Sequence, residues 1–377
     1  MPSFHVAMLV PTGLGACIGG FAGDATPAMN LLASVCDVLI THPNVANAAM
    51  FQKLPANTLY VEGYSLDRYF KGDIALRPVR ANRIGIVLDA GIPAGMQTLH
   101  INTLNAVKSV YGIDIMGYTT TEAPLLLQCE VTGTGCSTGS LQNPEVLLNA
   151  CNVLQAQGAT AIAICALLPE PEGEAPEQLE TDYRQGEGID PIGGLEAILS
   201  HWISSELGIP CANAPVFTWE KAQPVLDELL PPRTAAEFIT ATFLPCILTG
   251  LHRAPQNINL NDSLTRPAQG HGLLPSSSLA VACPSDIRID QLSALVVPAD
   301  ALGGLPVLAC LSRHIPIIAV AENTTVLSVT PNCYASLPVS SQGLIRTAHS
   351  YEEAAGMLQA MRLGLRLNGA NTATPEF

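Results

Sequence analysis

The feature that most constrains this chain is a repeated alternation. A short apolar run ends in a Gly, Pro, Thr or Asn loop, and a segment of helical period follows. Phe4 to Val10 leads into Pro11-Thr12-Gly13-Leu14-Gly15, then a helical stretch from about Pro27 to Val35. Val38 to Ile40 ends in Thr41-His42-Pro43-Asn44, and Ile84 to Leu88 ends in Asp89-Ala90-Gly91. Leu125 to Val131 ends in Thr132-Gly133-Thr134-Gly135, with a helix opening at Asn143-Pro144. Ala161 to Leu168, Leu295 to Val297 and Ile315 to Val320 complete the strand candidates. Short Val/Ile/Leu/Ala runs that alternate with helices predict βαβ units. The expected fold is α/β, with mainly parallel sheets covered by helices on both faces and two Rossmann-like lobes.

At 377 residues the chain suits two lobes better than one small domain. Pro169 to Gly188 is rich in Pro, Gly and Glu and carries no apolar period. It is expected to be a linker or lid between an N-terminal lobe, residues 1–168, and a C-terminal lobe, residues 189–377. The clearest helix spans Pro191 to Leu207, with Asp190 as N-cap and Gly208 as its stop.

Hydrophobic residues make up 48% of the chain and charged residues only 13%, enough for a thick core. No apolar run reaches the roughly 18–20 residues of a spanning helix. The opening residues lack a basic region, so no secretory signal is visible. Eleven cysteines, most of them inside apolar runs, read as buried thiols in a reducing compartment, and a cytoplasmic location is expected. No C-x-x-C or H-x-x-x-H pair supports a metal site. The net charge of −15 repels phosphate backbones and anionic membranes, so neither nucleic acid nor a membrane is an expected partner.

Three segments are candidate binding loops. In the first, Thr12, Gly13, Gly15, Gly19 and Gly20 follow a strand and precede a helix, where backbone N–H groups can surround an anion. Their spacing matches neither Gly-x-Gly-x-x-Gly nor a Walker A loop, so no nucleotide cofactor is implied. The second carries Thr132, Gly133, Thr134, Gly135, Ser137 and Thr138, hydroxyls and amides suited to phosphate or carboxylate. Gly135 to Gly139 also fits the Gly-x-Ser-x-Gly pattern of hydrolases, but the helix signal begins too late for Ser137 to sit on a nucleophile elbow. The third is Gly193-Gly194 at a helix start. Beyond strand ends, Asp89, Glu322 and His42 are candidates for proton transfer, with Asn323 and Thr324 as ligand-binding neighbours. Each has a bland alternative, since Asp and Asn also satisfy loop backbones.

The segments 11–24 (Pro-Thr-Gly-Leu-Gly-Ala-Cys-Ile-Gly-Gly-Phe-Ala-Gly-Asp), 41–47 (Thr-His-Pro-Asn-Val-Ala-Asn), 190–197 (Asp-Pro-Ile-Gly-Gly-Leu-Glu-Ala) and 321–327 (Ala-Glu-Asn-Thr-Thr-Val-Leu) resemble an uncharacterised family. It is a domain of unknown function common in cyanobacteria. The resemblance implies a cyanobacterial-type cytoplasmic protein and no reaction. The residues themselves point first to an enzyme acting on a small anionic metabolite. A non-catalytic metabolite sensor or assembly subunit is the alternative, and a serine hydrolase using Ser137 is a third. A homo-oligomer is expected under the first two readings.

Overall fold

Buried backbone must find hydrogen-bond partners, and the short apolar runs do so by pairing into two parallel sheets. The computed structural model describes residues 3–20, 23–46, 54–132, 137–169, 176–219, 229–238, 242–260, 283–336 and 343–365. The first sheet draws on both ends of the chain. It contains β1 (His5–Met8), β2 (Val38–Thr41), β3 (Thr58–Tyr60), β12 (Leu292–Pro298), β13 (Ile317–Val320) and β14 (Ile345–Ala348). Their spatial order is β14-β13-β12-β1-β2-β3. Counted along the chain within this sheet, that is the 3-2-1-4-5-6 order of a doubly wound fold.

A second lobe is inserted between β3 and β12. Its sheet contains β5 (Ile84–Leu88), β6 (Ile115–Thr120), β9 (Ala161–Leu167) and β10 (Cys211–Val216), all parallel, in the order β10-β9-β5-β6. The chain leaves the first lobe along β4 (Ile74–Arg77) and returns along β11 (Gln256–Asn259), and these two strands pair antiparallel. Arg77 braces this ribbon with a bidentate bond to Asp286, at 2.7 and 2.9 Å.

The division expected at 169–188 is therefore corrected. Sheet pairing joins residues 5–60 to residues 292–348, so lobes of 1–168 and 189–377 do not exist as such. Apolar periodicity identifies strands but carries no information about which strands pair. Within the expected linker, α6 (Pro176–Arg184) forms, and residues 170–175 lie outside the described residues.

Alternation along each strand sends side chains to opposite faces, and each face builds its own core. Ala7, Leu295, Val297 and Ile317 pack under α3 (Gly63–Lys71) and α10 (Leu305–Ser312). Val6, Met8, Val296 and Ile318 face the other way, under α1 (Thr26–Ser34) and α11 (Tyr351–Arg362). In the second lobe, Ile84, Ile86 and Leu88 meet α4 (Ala94–Tyr111) and α9 (Leu244–Leu251). Val87, Ile162 and Ile164 meet α5 (Pro144–Ala156) and α7 (Gly193–Leu207). The α/β class with helices on both faces is thus what the chain forms.

Two local expectations change. The segment Thr132 to Ser140 is not one loop: β7 (Leu127–Val131) and β8 (Ser137–Leu141) form an antiparallel hairpin, so Ser137 and Thr138 stand on a strand. Helix α7 begins at Gly193, later than Pro191, and Asp190 acts three residues ahead of it by accepting the Ile192 amide at 3.0 Å.

Candidate interlobe site

A cavity of about 580 Å³ opens where the lobes meet. The first lobe supplies the loops after β1, β2 and β3, the carboxyl ends where open parallel sheets seat ligands. From these come Thr12 and Gly13, His42, and Glu62 with Asp67. The second lobe supplies Asp190, Gly193, Gly194 and Glu196 around the start of α7, with Asn213 on β10. Helix α8 (Pro232–Phe238) adds Glu237. Five carboxylates line the cavity, and among the described residues no Lys or Arg does.

Of the expected binding residues, Thr12, Gly13, Gly20, Ser137, Gly193 and Gly194 line this cavity, as does His42. Gly15, Gly19, Thr132 and Thr138 are not among its walls, nor are Asp89, Glu322, Asn323 and Thr324. Gly133, Thr134 and Gly135 lie outside the described residues.

The glycine-rich segments bind the protein to itself. Gly15 donates to the Gly188 carbonyl and Asp190 to the Gly13 carbonyl, each at 3.0 Å, which sews the loop after β1 to the second lobe. Cys17 donates to the Thr324 carbonyl at 2.9 Å, and Gly20 to the Asn44 carbonyl at 2.8 Å. The loop thus runs from the end of β1 to the end of β13, across the switch point where doubly wound folds seat a dinucleotide. A side chain at Gly15 would put its Cβ 2.5 Å from the Gly186 carbonyl oxygen, so glycine is required by close backbone approach. Gly194 is tighter still, with its would-be Cβ 2.1 Å from the Ser137 carbonyl oxygen. Its amide donates to Ser137 Oγ at 3.0 Å, and that hydroxyl donates to the Pro191 carbonyl at 2.9 Å. Ser137 is a clamp between β8 and α7, with both hydroxyl functions engaged.

The expected proton-transfer residues are likewise held in structural bonds. Asp89 is buried and accepts the amides of Gly91, Leu125 and Leu167, tying two loops to the end of β9. Glu322 is exposed and accepts the Tyr351 amide at 2.7 Å, at the start of α11. Asn323 is buried, accepts from the Ile18 amide and donates to the Ile18 carbonyl and Tyr351 hydroxyl. His42 reaches the cavity, but its Nε2 accepts the Val10 amide at 3.0 Å. Burial lowers His42 to about 4, so near neutral pH the ring is uncharged with its proton on Nδ1.

The groups with the chemistry of a reactive site are different ones. Burial, and next the charge of Asp190, push the Glu196 carboxyl up to about 8, against the bond from Asn213. Glu62 is pushed up to about 7 by burial, although the Ser65 hydroxyl and the Tyr64 and Ser65 amides all donate to it. Glu62 caps α3 with both oxygens, so its role is in part structural. Glu196 is freer: Asn213 Nδ2 donates to its Oε1 at 3.1 Å. Asn213 is itself buried, and its Oδ1 has no partner. One sequence signal does point here. Asn213 is a lone amide inside the apolar run Cys211 to Val216, and a buried strand tolerates such a residue only with partners.

These features define a two-lobed α/β protein of the doubly wound type, with an acidic cavity at the lobe junction. The chain belongs to the family described as protein of unknown function, DUF3326, which matches residues 5–370. It is also similar to a protein of Synechococcus sp. named as an uncharacterised lipoprotein, with 39% identity over 365 residues, covering 96% of this chain and 92% of the relative. No solved structure matches the chain. No helix among the described residues is long and apolar enough to cross a membrane.

Proposed function

We propose that this chain is an enzyme acting on a small molecule bound in the interlobe cavity, with Glu196 as the group that transfers a proton. The carrying observation is a buried carboxyl raised into the neutral range on the wall of the interlobe cavity, held by an amide on the facing strand. General acid–base catalysis works best with a group whose pKa lies near the working pH. Glu62, raised for the same reason, is the nearest candidate for a second titrating group on this cavity.

An anionic ligand, the first expectation, has less support. The Gly15 and Gly20 amides donate to protein carbonyls, the Gly19 amide to Asp24 and the Gly194 amide to Ser137, and carboxylates line the wall. The serine-hydrolase reading has still less, given the bonds that occupy the Ser137 hydroxyl.

The test is to incubate wild type and Glu196→Gln with fractionated small-molecule extract and follow conversion by mass spectrometry. A compound consumed by wild type and spared by the variant is the expected outcome. Thermal shift by a fraction with no turnover would favour the non-catalytic sensor instead. A cytoplasmic, homo-oligomeric state is part of the same proposal. Cys36, Cys151, Cys165, Cys211, Cys246 and Cys310 are buried free thiols, which suits a reducing compartment. Recovery with membranes on fractionation, in keeping with the relative's lipoprotein name, would overturn the location, and a monomer in sedimentation would overturn the assembly.

A further inference from the structure

Resting on the interlobe cavity as the ligand site, we propose that the molecule bound there carries a carbonyl group, and that the Nδ1–H of His42 donates to its oxygen. His42 follows β2 directly, at the carboxyl end of the first sheet, and its ring is part of the cavity wall.

The residue is fixed from two sides by the protein itself. Its carbonyl accepts the Val45 and Ala46 amides at 3.0 and 3.2 Å, and its Nε2 accepts the Val10 amide at 3.0 Å. A backbone N–H can only donate, so Nε2 presents its lone pair and the proton of the neutral ring sits on Nδ1. Among the described residues nothing accepts from that Nδ1.

Two other histidines also hold a ring nitrogen without a partner, His5 at Nδ1 and His100 at Nε2. Both of those atoms are sealed in the core, where no ligand reaches them. His42 Nδ1 is not sealed, although the residue is only 5% exposed, and the cavity is the space its ring borders. An N–H so placed has given up most of its water without gaining an acceptor, a cost that a ligand oxygen removes.

The character of the donor selects the acceptor. Burial keeps the ring uncharged near neutral pH, so it offers an anion no balancing charge. A neutral imidazole N–H polarises a carbonyl without protonating it, and its bond to Val10 orients it before the ligand arrives. His42 thus binds and polarises, while proton transfer stays with Glu196. A cavity of about 580 Å³ leaves room for a body beyond the carbonyl.

The test compares matched ketones and alcohols on the full chain: hydroxyacetone with 1,2-propanediol, pyruvate with L-lactate, and cyclohexanone with cyclohexanol. At least one ketone should bind about threefold or more tightly than its alcohol, the worth of one neutral hydrogen bond. Infrared difference spectra with a carbonyl-labelled probe should show its stretch lowered on binding. Both effects should vanish in a chain carrying Nδ-methylhistidine at position 42, which keeps the Nε2 acceptor and lacks the Nδ1 proton. No ketone binding at millimolar concentration, equal binding of the alcohols, or survival of both effects after methylation overturns the inference. If the methylated chain folds poorly, ring-labelled histidine in wild type decides by NMR. The His42 Nδ1 signal should move with a ketone and not with its alcohol, and a signal that stays still overturns the inference. A ketone whose binding ignores His42 but is lost in the cavity-filling variant Ala197→Trp overturns it as well, yet supports the cavity as the site. A ligand that binds Ala197→Trp as well as wild type overturns the cavity reading itself.

Discussion

Asn213 Nδ2 donates to Glu196 Oε1 at 3.1 Å, joining β10 to α7 on the wall of the interlobe cavity. The pair couples a titrating carboxyl to an amide whose other end is unsatisfied. It lies on the second lobe, while the loops opposite it come from the first. Any ligand that reaches the pair therefore also touches the junction between lobes.

Glu196 should make stability depend on pH in a specific direction. Its folded pKa is raised from 4.5 to about 8, so between those values the folded chain holds a proton that the unfolded chain has released. Stability contributed by the protonated form is complete below about pH 4.5 and is lost as pH rises through about 8. Glu62, raised from 4.5 to about 7, adds a slope of the same sign. Urea unfolding from acid to weakly alkaline pH should show wild type losing more stability than Glu196→Gln. Equal slopes would mean that Glu196 is not protonated in the folded state.

His42 should act in the opposite sense. Burial holds its folded pKa at about 4, below the ordinary 6.5, and the neutral ring accepts the Val10 amide. Its contribution is present above about 6.5 and is lost as pH falls through about 4. His42→Leu leaves the Val10 amide without a partner, at a cost of about 1–3 kcal/mol near neutral pH. The variant should also lose the acid-side slope, which urea titrations at two pH values would measure.

The most apolar strands and the α/β class are legible in the sequence because apolar periodicity records burial directly, whereas shorter or more polar strands such as Thr58–Tyr60, Ile115–Thr120 and Ile345–Ala348 are not. Ile84 to Leu88 is found as expected, and Ala161 to Leu167 differs by one residue. The pairing is not legible: nothing local in Leu292–Pro298 says that it lies beside His5–Met8, across 287 residues of sequence. The position of the cavity beyond the strand ends of the first lobe was accessible, and so were His42 and Gly193-Gly194. Its chemistry was hidden for a physical reason. Glu196 looks like an ordinary first-turn helix residue until burial and Asp190 raise its pKa, and both effects arise only from tertiary contacts.

Asp89 should matter to stability and not to the cavity. Its buried carboxylate accepts three backbone amides, at 2.9, 3.0 and 3.3 Å, and is not among the cavity walls. Asp89→Ala strands those donors and should cost about 3 kcal/mol or more. Whatever protein remains folded should bind its ligand with unchanged affinity. A folded Asp89→Ala protein that had lost binding while keeping its melting temperature would restore this residue as a site candidate.

Ser137 and Gly194 give the sharpest separation between a clamp and a nucleophile. If the hydroxyl is a clamp, Ser137→Ala removes its bonds to Gly194 and Pro191 and should cost about 1–2 kcal/mol. Gly194→Ala should be worse, since its Cβ would stand 2.1 Å from the Ser137 carbonyl oxygen. Relief requires α7 to move away from β8, at about 1–3 kcal/mol or more. That movement would shift Glu196, which lies two residues further along the same helix, and should weaken ligand binding. Ser137→Ala leaves the backbone in place and should keep most of it. Covalent labelling of wild type, but not Ser137→Ala, by a fluorophosphonate would instead establish a nucleophilic serine, and the clamp assignment would fall.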